Sequence, residues 1–136
     1  MIAPLAVAPK TIYEAAMREF LLVALGGALG ASGRFGVNLL APWSGVGMPW
    51  GTLAINVAGG FAMGALFALS ADNRPVLLFA GVGVLGGFTT FSAFSIETVR
   101  LMQRGDVTTA ALYALLSVIA SVGAAFAGYM LARSFA

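Results

Sequence analysis

Cysteine and histidine are both missing from this chain of 136 residues. Without cysteine there is no disulfide and no thiolate nucleophile, and without histidine the most common general base of enzymes is absent. Zinc sites built from these two residue types are excluded for the same reason. The composition therefore argues against cysteine proteases and zinc hydrolases, and we expect a protein that is not an enzyme.

Charge is also scarce. Only 9% of the residues are charged and 60% are hydrophobic, with a mean hydropathy of +0.98. Such values are typical of an integral membrane protein. The seven Lys and Arg residues are spread thinly and give a net charge of only +2, so there is no basic stripe to follow a phosphate backbone. We expect a multi-pass protein of the cell inner (plasma) membrane, in contact with lipid and without a nucleic-acid partner.

Four apolar segments are long enough to cross a membrane as helices. They cover residues 20–40, 50–69, 76–100 and 108–132. The connections between them are short and leave no room for a soluble domain. The sequence therefore predicts an all-α integral membrane fold, with one four-span domain over residues 20–133.

Residues 1–19 precede this domain as an N-terminal extension. Within it, Thr11 and Glu14 have the spacing of a capping box, in which both side chains satisfy free amides at a helix start. This pattern predicts a helix that begins near Thr11, and an interfacial helix at the membrane surface is one interpretation of the extension.

The third span contains two consecutive glycines, Gly86 and Gly87, ahead of regularly spaced phenylalanines and hydroxyls. Irregular backbone at membrane depth is tolerated only where protein or water covers it. We therefore predict that this helix is broken near its middle and that the break lines a site. After the glycines, two rows with three-residue spacing run side by side. They are Phe88, Phe91 and Phe94, and Thr89, Ser92 and Ser95.

Polar side chains in the other spans are few. Asn56 lies near the centre of the second span, where its amide either belongs to a site or makes an interhelical hydrogen bond. Tyr113, Ser117 and Ser121 share one face of the fourth span, although membrane serines often bond to their own helix. Amides, hydroxyls and the positive edges of phenyl rings all solvate anions, so these groups predict an anion pathway.

Two charged residues lie close to span ends. Arg34 and Glu97 could each line an aqueous vestibule, or their side chains could simply reach back to the membrane surface. Of the two, Arg34 attracts an anion and Glu97 repels it.

The positive charges that flank the spans are almost balanced across the membrane. Four of them (Lys10, Arg18, Arg74 and Arg133) flank one side, and three (Arg34, Arg100 and Arg104) flank the other. Because such charges orient insertion, a nearly neutral bias leaves two hypotheses open. The chain either inserts both ways and pairs as an antiparallel homodimer, or has a single topology set by Lys10 and Arg18.

Three stretches form a combined pattern: Gly30-Ala31-Ser32-Gly33-Arg34-Phe35, Gly51-Thr52-Leu53-Ala54-Ile55-Asn56 and Gly86-Gly87-Phe88-Thr89-Thr90-Phe91-Ser92-Ala93-Phe94. Together they resemble the Fluc (CrcB) family of fluoride channels, and the resemblance covers all four spans. The resemblance implies an antiparallel, dual-topology homodimer with two fluoride pores and a structural sodium ion at the dimer centre. It also implies passive, fluoride-selective export that gives fluoride resistance.

The resemblance assigns roles to individual residues. It implies that Asn56 is the pore asparagine and that the ring edges of Phe91 and Phe94 contact the permeating anion. It also implies that backbone carbonyls of Gly86 and Thr89 hold the sodium ion. The polar track of the family corresponds to Ser92, Ser95, Tyr113, Ser117 and Ser121.

The chain departs from the family pattern at two positions. Ala93 stands where Thr is common, and Phe35 stands where Tyr is frequent. The loss of the hydroxyl at position 93 removes one candidate donor from the track, so conductance is expected to differ from that of relatives.

Two other functions compete with a channel. A small multidrug-type antiporter needs a carboxylate buried in the membrane, and residues 20–33 inside the first span contain none. A non-transporting membrane subunit would explain the glycines as packing residues, but not the joint presence of Asn56, Phe91, Phe94 and a broken helix.

Overall fold

The computed structural model describes residues 10–40 and 47–135, and within these ranges every regular element is helical. Helix α1 is Lys10–Leu40, α2 is Trp50–Ser70, α3 covers residues 74–88, α4 is Phe91–Gln103 and α5 is Val107–Arg133. α3 and α4 together form one span, Arg74–Gln103, and all four spans are long and apolar enough to cross a membrane. The predicted all-α, four-span fold is confirmed, including a third helix broken near its middle.

α1 is longer than the sequence predicted. It begins at Lys10, beside the predicted start at Thr11, and continues without interruption to Leu40. Residues 10–19 are therefore the first turns of the first span and not a separate helix, while residues 1–9 of the predicted extension lie outside the described residues.

The turns before α3 and α5 carry the caps that their residue types favour. The side chain of Asn73 accepts a hydrogen bond from the Val76 amide at 3.2 Å, and Asp106 accepts one from the Thr109 amide at 3.2 Å. Both side chains satisfy an amide that the first helical turn leaves free. Gly105 adopts a positive φ of 80°, which ends α4 and allows α5 to start immediately.

An ion pair joins the start of α3 to α1. Arg74 and Glu19 form two hydrogen bonds, one of them 2.8 Å long between Nη2 and Oε2. This contact places the first part of α1 and the beginning of the third span at the same end of the bundle, as the charge pattern predicted for Arg18 and Arg74.

Residues Leu77–Leu85 of α3 form a π-helix, which the sequence analysis did not predict. In this wider helix each amide bonds five residues back, as the Gly86 amide does with the Gly81 carbonyl. The segment lies directly against α1, because a Cβ atom on Gly83 would stand 2.8 Å from the Cα of Gly26. The two glycines let the backbones touch.

α2 packs along α5 in the same way. A Cβ atom on Gly64 would collide with the Ala125 carbonyl, and one on Gly128 would collide with the Phe61 carbonyl. Small residues thus let helix backbones approach closely, as small-xxx-small patterns predict.

A buried apolar cluster closes one end of the bundle, where α2, α4 and α5 meet. Its members are Leu53, Leu101, Ala110 and Tyr113, and Tyr113 is completely buried. Phe94 packs against this cluster, which fixes the beginning of α4 relative to the other helices.

Candidate anion site at the helix break

The break in the third span lies at Thr89 and Thr90. Thr89 has φ −78° and ψ 157°, and Thr90 has φ −151° and ψ 120°, so both are extended. Gly86 and Gly87 themselves remain helical, which places the break just after the glycines that predicted it. Gly87 serves close packing, because a Cβ atom there would stand 2.7 Å from the Gly27 carbonyl, whereas β-branched threonines favour extended backbone.

Asn56 holds this break through two hydrogen bonds. Its Nδ2 donates to the Thr90 carbonyl at 3.0 Å, and its Oδ1 accepts from the Thr90 amide at 2.8 Å. The interhelical hydrogen bond considered from sequence is therefore present. Because Nδ2 carries two hydrogens, one N–H of the Asn56 amide has no partner among the residues that the structure describes.

Thr90 also starts α4. Its hydroxyl accepts a hydrogen bond from the Ala93 amide at 3.1 Å and lies 3.1 Å from the Ser92 hydroxyl. A threonine three residues ahead of the amide that it caps is a known N-cap signal, and Thr90 was not predicted as a site residue.

A cavity of about 360 Å³ opens beside the break, between α2, α4 and α5. Five of the predicted pore residues line it: Asn56, Phe91, Phe94, Ser117 and Ser121. The other described residues of its wall are Gly59, Gly60, Met63, Thr89, Thr90, Val118 and Val122. None of these side chains is charged, so the cavity offers an anion polar donors without a fixed positive charge.

Ser117 stands out within this wall. The residue is only 6% exposed, and its Oγ has no hydrogen-bond partner among the described residues. Buried polar atoms are almost always paired, and the neighbouring hydroxyl is that of Tyr113, one helical turn before Ser117.

The two phenylalanines form a short aromatic series with Tyr113. The ring centroids of Phe91 and Phe94 are 5.2 Å apart, and those of Phe94 and Tyr113 are 5.3 Å apart, with tilted planes. Phe94 is partly buried against the core cluster, while Phe91 is 76% exposed. Tilted rings present their positive edges as well as their faces to neighbours.

Three of the predicted track hydroxyls do not line the cavity. Ser92 bonds to Thr90, and Ser95 donates to the carbonyl of Phe91 at 2.8 Å. Tyr113 donates to Oε2 of Glu97 at 2.7 Å. The structure thus brings the two serines of α5 to the cavity and directs these three hydroxyls to protein partners.

Glu97 accepts two hydroxyl hydrogen bonds. Besides the bond from Tyr113, Thr52 Oγ1 donates to Oε1 at 2.8 Å. Hydrogen bonds to a carboxylate are strong, so they fix the position of the Glu97 side chain. Its predicted place in a vestibule stays a prediction. Thr52, which was not predicted as a site residue, lies one helical turn before Asn56.

Arg34 contacts the helix that precedes the break. Its Nε donates to the Gly87 carbonyl at 3.2 Å. Its predicted place in a vestibule stays a prediction, while its observed contact satisfies a carbonyl next to the irregular backbone.

Two backbone carbonyls at the break have lost their usual donors. In a continuous helix the Thr90 amide would bond to the Gly86 carbonyl, and the Ala93 amide would bond to the Thr89 carbonyl. Here the first amide donates to Asn56 and the second to the Thr90 hydroxyl. Free carbonyl oxygens of unwound helices are ligands that suit Na⁺, so the donor chemistry fits the ion implied by the resemblance.

Comparison with known proteins identifies the family. Residues 21–129 match the family described as CrcB-like protein, Camphor Resistance (CrcB). The chain belongs to the CrcB family. The matched residues include both sides of the break and the cavity wall, and the resemblance seen in the sequence motifs is confirmed.

Relatives of this CrcB-family protein carry a functional name. A protein of Hyphomonas neptunium named "Fluoride-specific ion channel FluC" is 50% identical over 126 residues, covering 86% of this chain and 97% of the relative. Proteins with the same name from Paracoccus denitrificans and Thermus thermophilus are 50% and 48% identical and cover 84% and 85% of this chain, and 94% and 95% of their own lengths.

Proposed function

We propose that this CrcB-family protein is a passive, fluoride-selective channel. The observation that carries the proposal is the cavity beside the helix break, where the spare N–H of Asn56, the unpaired hydroxyl of Ser117 and the rings of Phe91 and Phe94 come together. The names of the relatives point to the same ion.

The lining chemistry suits a small, strongly hydrated anion. A selective path must replace the water of such an ion with several donors, yet must not hold the ion too tightly. Amide, hydroxyl and ring edges supply donors, and no Lys or Arg is among the described residues of the cavity wall. Fluoride can therefore be solvated there without a deep electrostatic trap.

Flow follows the fluoride gradient. The sequence offers no nucleotide-binding motif, and the carboxylate of Glu97 is engaged by two hydroxyls. The biological role that follows is export, which lowers cytoplasmic fluoride and relieves its toxicity.

The working assembly is an antiparallel homodimer with dual topology. The nearly balanced flanking charge and the 76% exposure of Phe91 beside the cavity support it, because a second copy can complete the open side of the path. Reporter fusions at the C-terminus should be active on both sides of the membrane, and a single fixed orientation would contradict this assembly.

A structural sodium ion binds at the dimer centre. The carbonyls of Gly86 and Thr89, whose usual donors are engaged elsewhere, are its ligands, and a second copy supplies the same pair. The ion would bring positive charge close to the anion path and link the two subunits.

Fluoride efflux from liposomes tests the channel function. Purified protein is reconstituted into vesicles loaded with potassium fluoride, and external fluoride is followed after a potassium ionophore clamps the membrane potential. We expect rapid efflux of fluoride, and no efflux of chloride from matched vesicles loaded with potassium chloride. The absence of fluoride efflux would favour a non-transporting membrane subunit.

A further inference from the structure

Gly59 lies one helical turn after Asn56 on α2. It faces Thr89, whereas Asn56 bonds to Thr90, the other residue of the break. A Cβ atom at position 59 would collide with the Cγ2 methyl of Thr89, while the Thr89 Cβ and the Phe88 ring would stay in ordinary contact at 3.7 and 3.6 Å. The methyl of Thr89 therefore occupies the space that a side chain at position 59 would need.

The side chain of Thr89 cannot rotate freely away from this position. Its hydroxyl donates to the Leu85 carbonyl at 2.9 Å, and this bond fixes the rotamer that points the methyl toward Gly59. A larger residue at position 59 would therefore displace Thr89 as a whole.

Asn56 fixes the orientation of the peptide group between Thr89 and Thr90. The Thr89 carbonyl and the Thr90 amide belong to one planar peptide group, and the described backbone has no cis bond. In a trans peptide these two groups point in opposite directions. Since the Thr90 amide donates to Asn56, the Thr89 carbonyl points away from Asn56.

We propose that Gly59 is a positioning residue for the cation ligand: with Asn56, it sets the orientation of the Thr89–Thr90 peptide group and hence of the Thr89 carbonyl. The inference rests on the proposed function, because it assigns that carbonyl to the sodium ion. Asn56 and Gly59, one helical turn apart on α2, thus contact the two residues that share this peptide group.

The test measures Na⁺ binding by thermal stability, since a ligand that binds only the folded state raises the Tm. Purified protein is titrated with sodium chloride at constant ionic strength, with N-methyl-D-glucamine chloride as the balance. Gly59→Ala should raise the Na⁺ concentration at half-maximal stabilisation by at least about tenfold, and Gly36→Ala, where a Cβ atom meets nothing within 4 Å, should leave it unchanged.

A double-mutant comparison shows whether Gly59 acts through the methyl of Thr89. Thr89→Ser removes Cγ2 and keeps the hydroxyl that bonds to Leu85. Adding Gly59→Ala to this variant should shift the Na⁺ half-point far less than adding it to the wild type. A single variant that fails to fold, rescued by Thr89→Ser, would support the same conclusion, whereas a double variant that also fails to fold would overturn it.

The remaining outcomes separate this inference from the proposed function. The role of Gly59 alone is overturned if folded Gly59→Ala has the same Na⁺ concentration at half-maximal stabilisation as the wild type. It is also overturned if Gly59→Ala shifts that concentration equally in the wild type and in Thr89→Ser. A wild-type protein that Na⁺ does not stabilise overturns the cation site together with this inference. A wild-type protein without fluoride efflux overturns the channel function.

Discussion

The side-chain amide of Asn56 pairs with both backbone groups of Thr90, donating at 3.0 Å to its carbonyl and accepting at 2.8 Å from its amide. The pairing fixes which end of the Asn56 amide is nitrogen, because the Thr90 amide needs an acceptor and the Thr90 carbonyl needs a donor. Asn56, predicted from sequence to contact the anion, therefore also stabilises the extended backbone at the helix break.

Asn56→Asp should abolish most fluoride flux. The carboxylate would face the Thr90 carbonyl without a donor and would place a negative charge on the anion path, where a charge in a span costs about 2.5–3.5 kcal/mol. We expect liposome efflux to fall by at least about tenfold. Asn38→Asp, on an exposed part of α1, is the matched control and should conduct like the wild type.

Phe91→Ile and Phe94→Ile should each slow fluoride flux strongly, because an aliphatic side chain has no positive ring edge to offer an anion. Phe94→Ile should also lower the Tm, since Phe94 packs against the core cluster, while the 76% exposed Phe91 should tolerate the change. Phe20→Ile, an exposed position on α1, is the control. Normal flux in both pore variants would contradict the assignment.

Ser117→Ala separates a ligand role from a structural role. Its hydroxyl has no partner among the described residues, so its removal should leave stability within about 0.5 kcal/mol of the wild type or increase it. Fluoride flux should nevertheless fall, because a donor leaves the cavity. A clear loss of Tm with unchanged flux would show that the hydroxyl has a structural partner instead.

Tyr113→Phe, unlike Ser117→Ala, should lower the stability of the protein. The ring stays in place, but Glu97 loses one of its two hydroxyl donors, and an unpaired buried group costs about 1–3 kcal/mol. Thermal unfolding in detergent should show a clearly lower Tm. Tyr129→Phe, which removes a hydroxyl that accepts a hydrogen bond from exposed Arg133, should change the Tm much less.

Gly64→Ala should destabilise the protein, although alanine is the better helix former by about 1 kcal/mol. The added methyl would collide with the Ala125 carbonyl and push α2 away from α5. Gly36→Ala, in open space, should be neutral or stabilising. Equal Tm changes in the two variants would show that this helix contact is not tight.

Much of the fold follows from local sequence. Span length and hydropathy fix the four helices, and Asn73, Gly105 and Asp106 fix turns through contacts within a few residues. The pair of glycines correctly predicted a break near the middle of the third span, because irregular backbone in a membrane needs a protected place.

The details that were missed depend on contacts between distant residues. The break lies at Thr89 and Thr90 because Asn56, 34 residues away from Thr90, replaces its helical partners. Likewise, the π-helix over Leu77–Leu85 lies against glycines of α1. No local pattern in the third span contains either contact.

The sequence predicted which residues belong to the site more accurately than where each of their side chains lies. Helical periodicity correctly placed Tyr113 and Ser117 on one face of α5, and both are buried. Periodicity does not say which member reaches the cavity. Ser117 lines the cavity, whereas Tyr113 lies in the core and bonds to Glu97, 16 residues away.

The reversal potential of single channels in a planar bilayer tests fluoride selectivity most directly. With unequal fluoride concentrations on the two sides and chloride as the balancing anion, the current should reverse at the Nernst potential of fluoride, and symmetric chloride without fluoride should give no current. A reversal potential near zero, or measurable chloride current, would contradict a fluoride-selective channel.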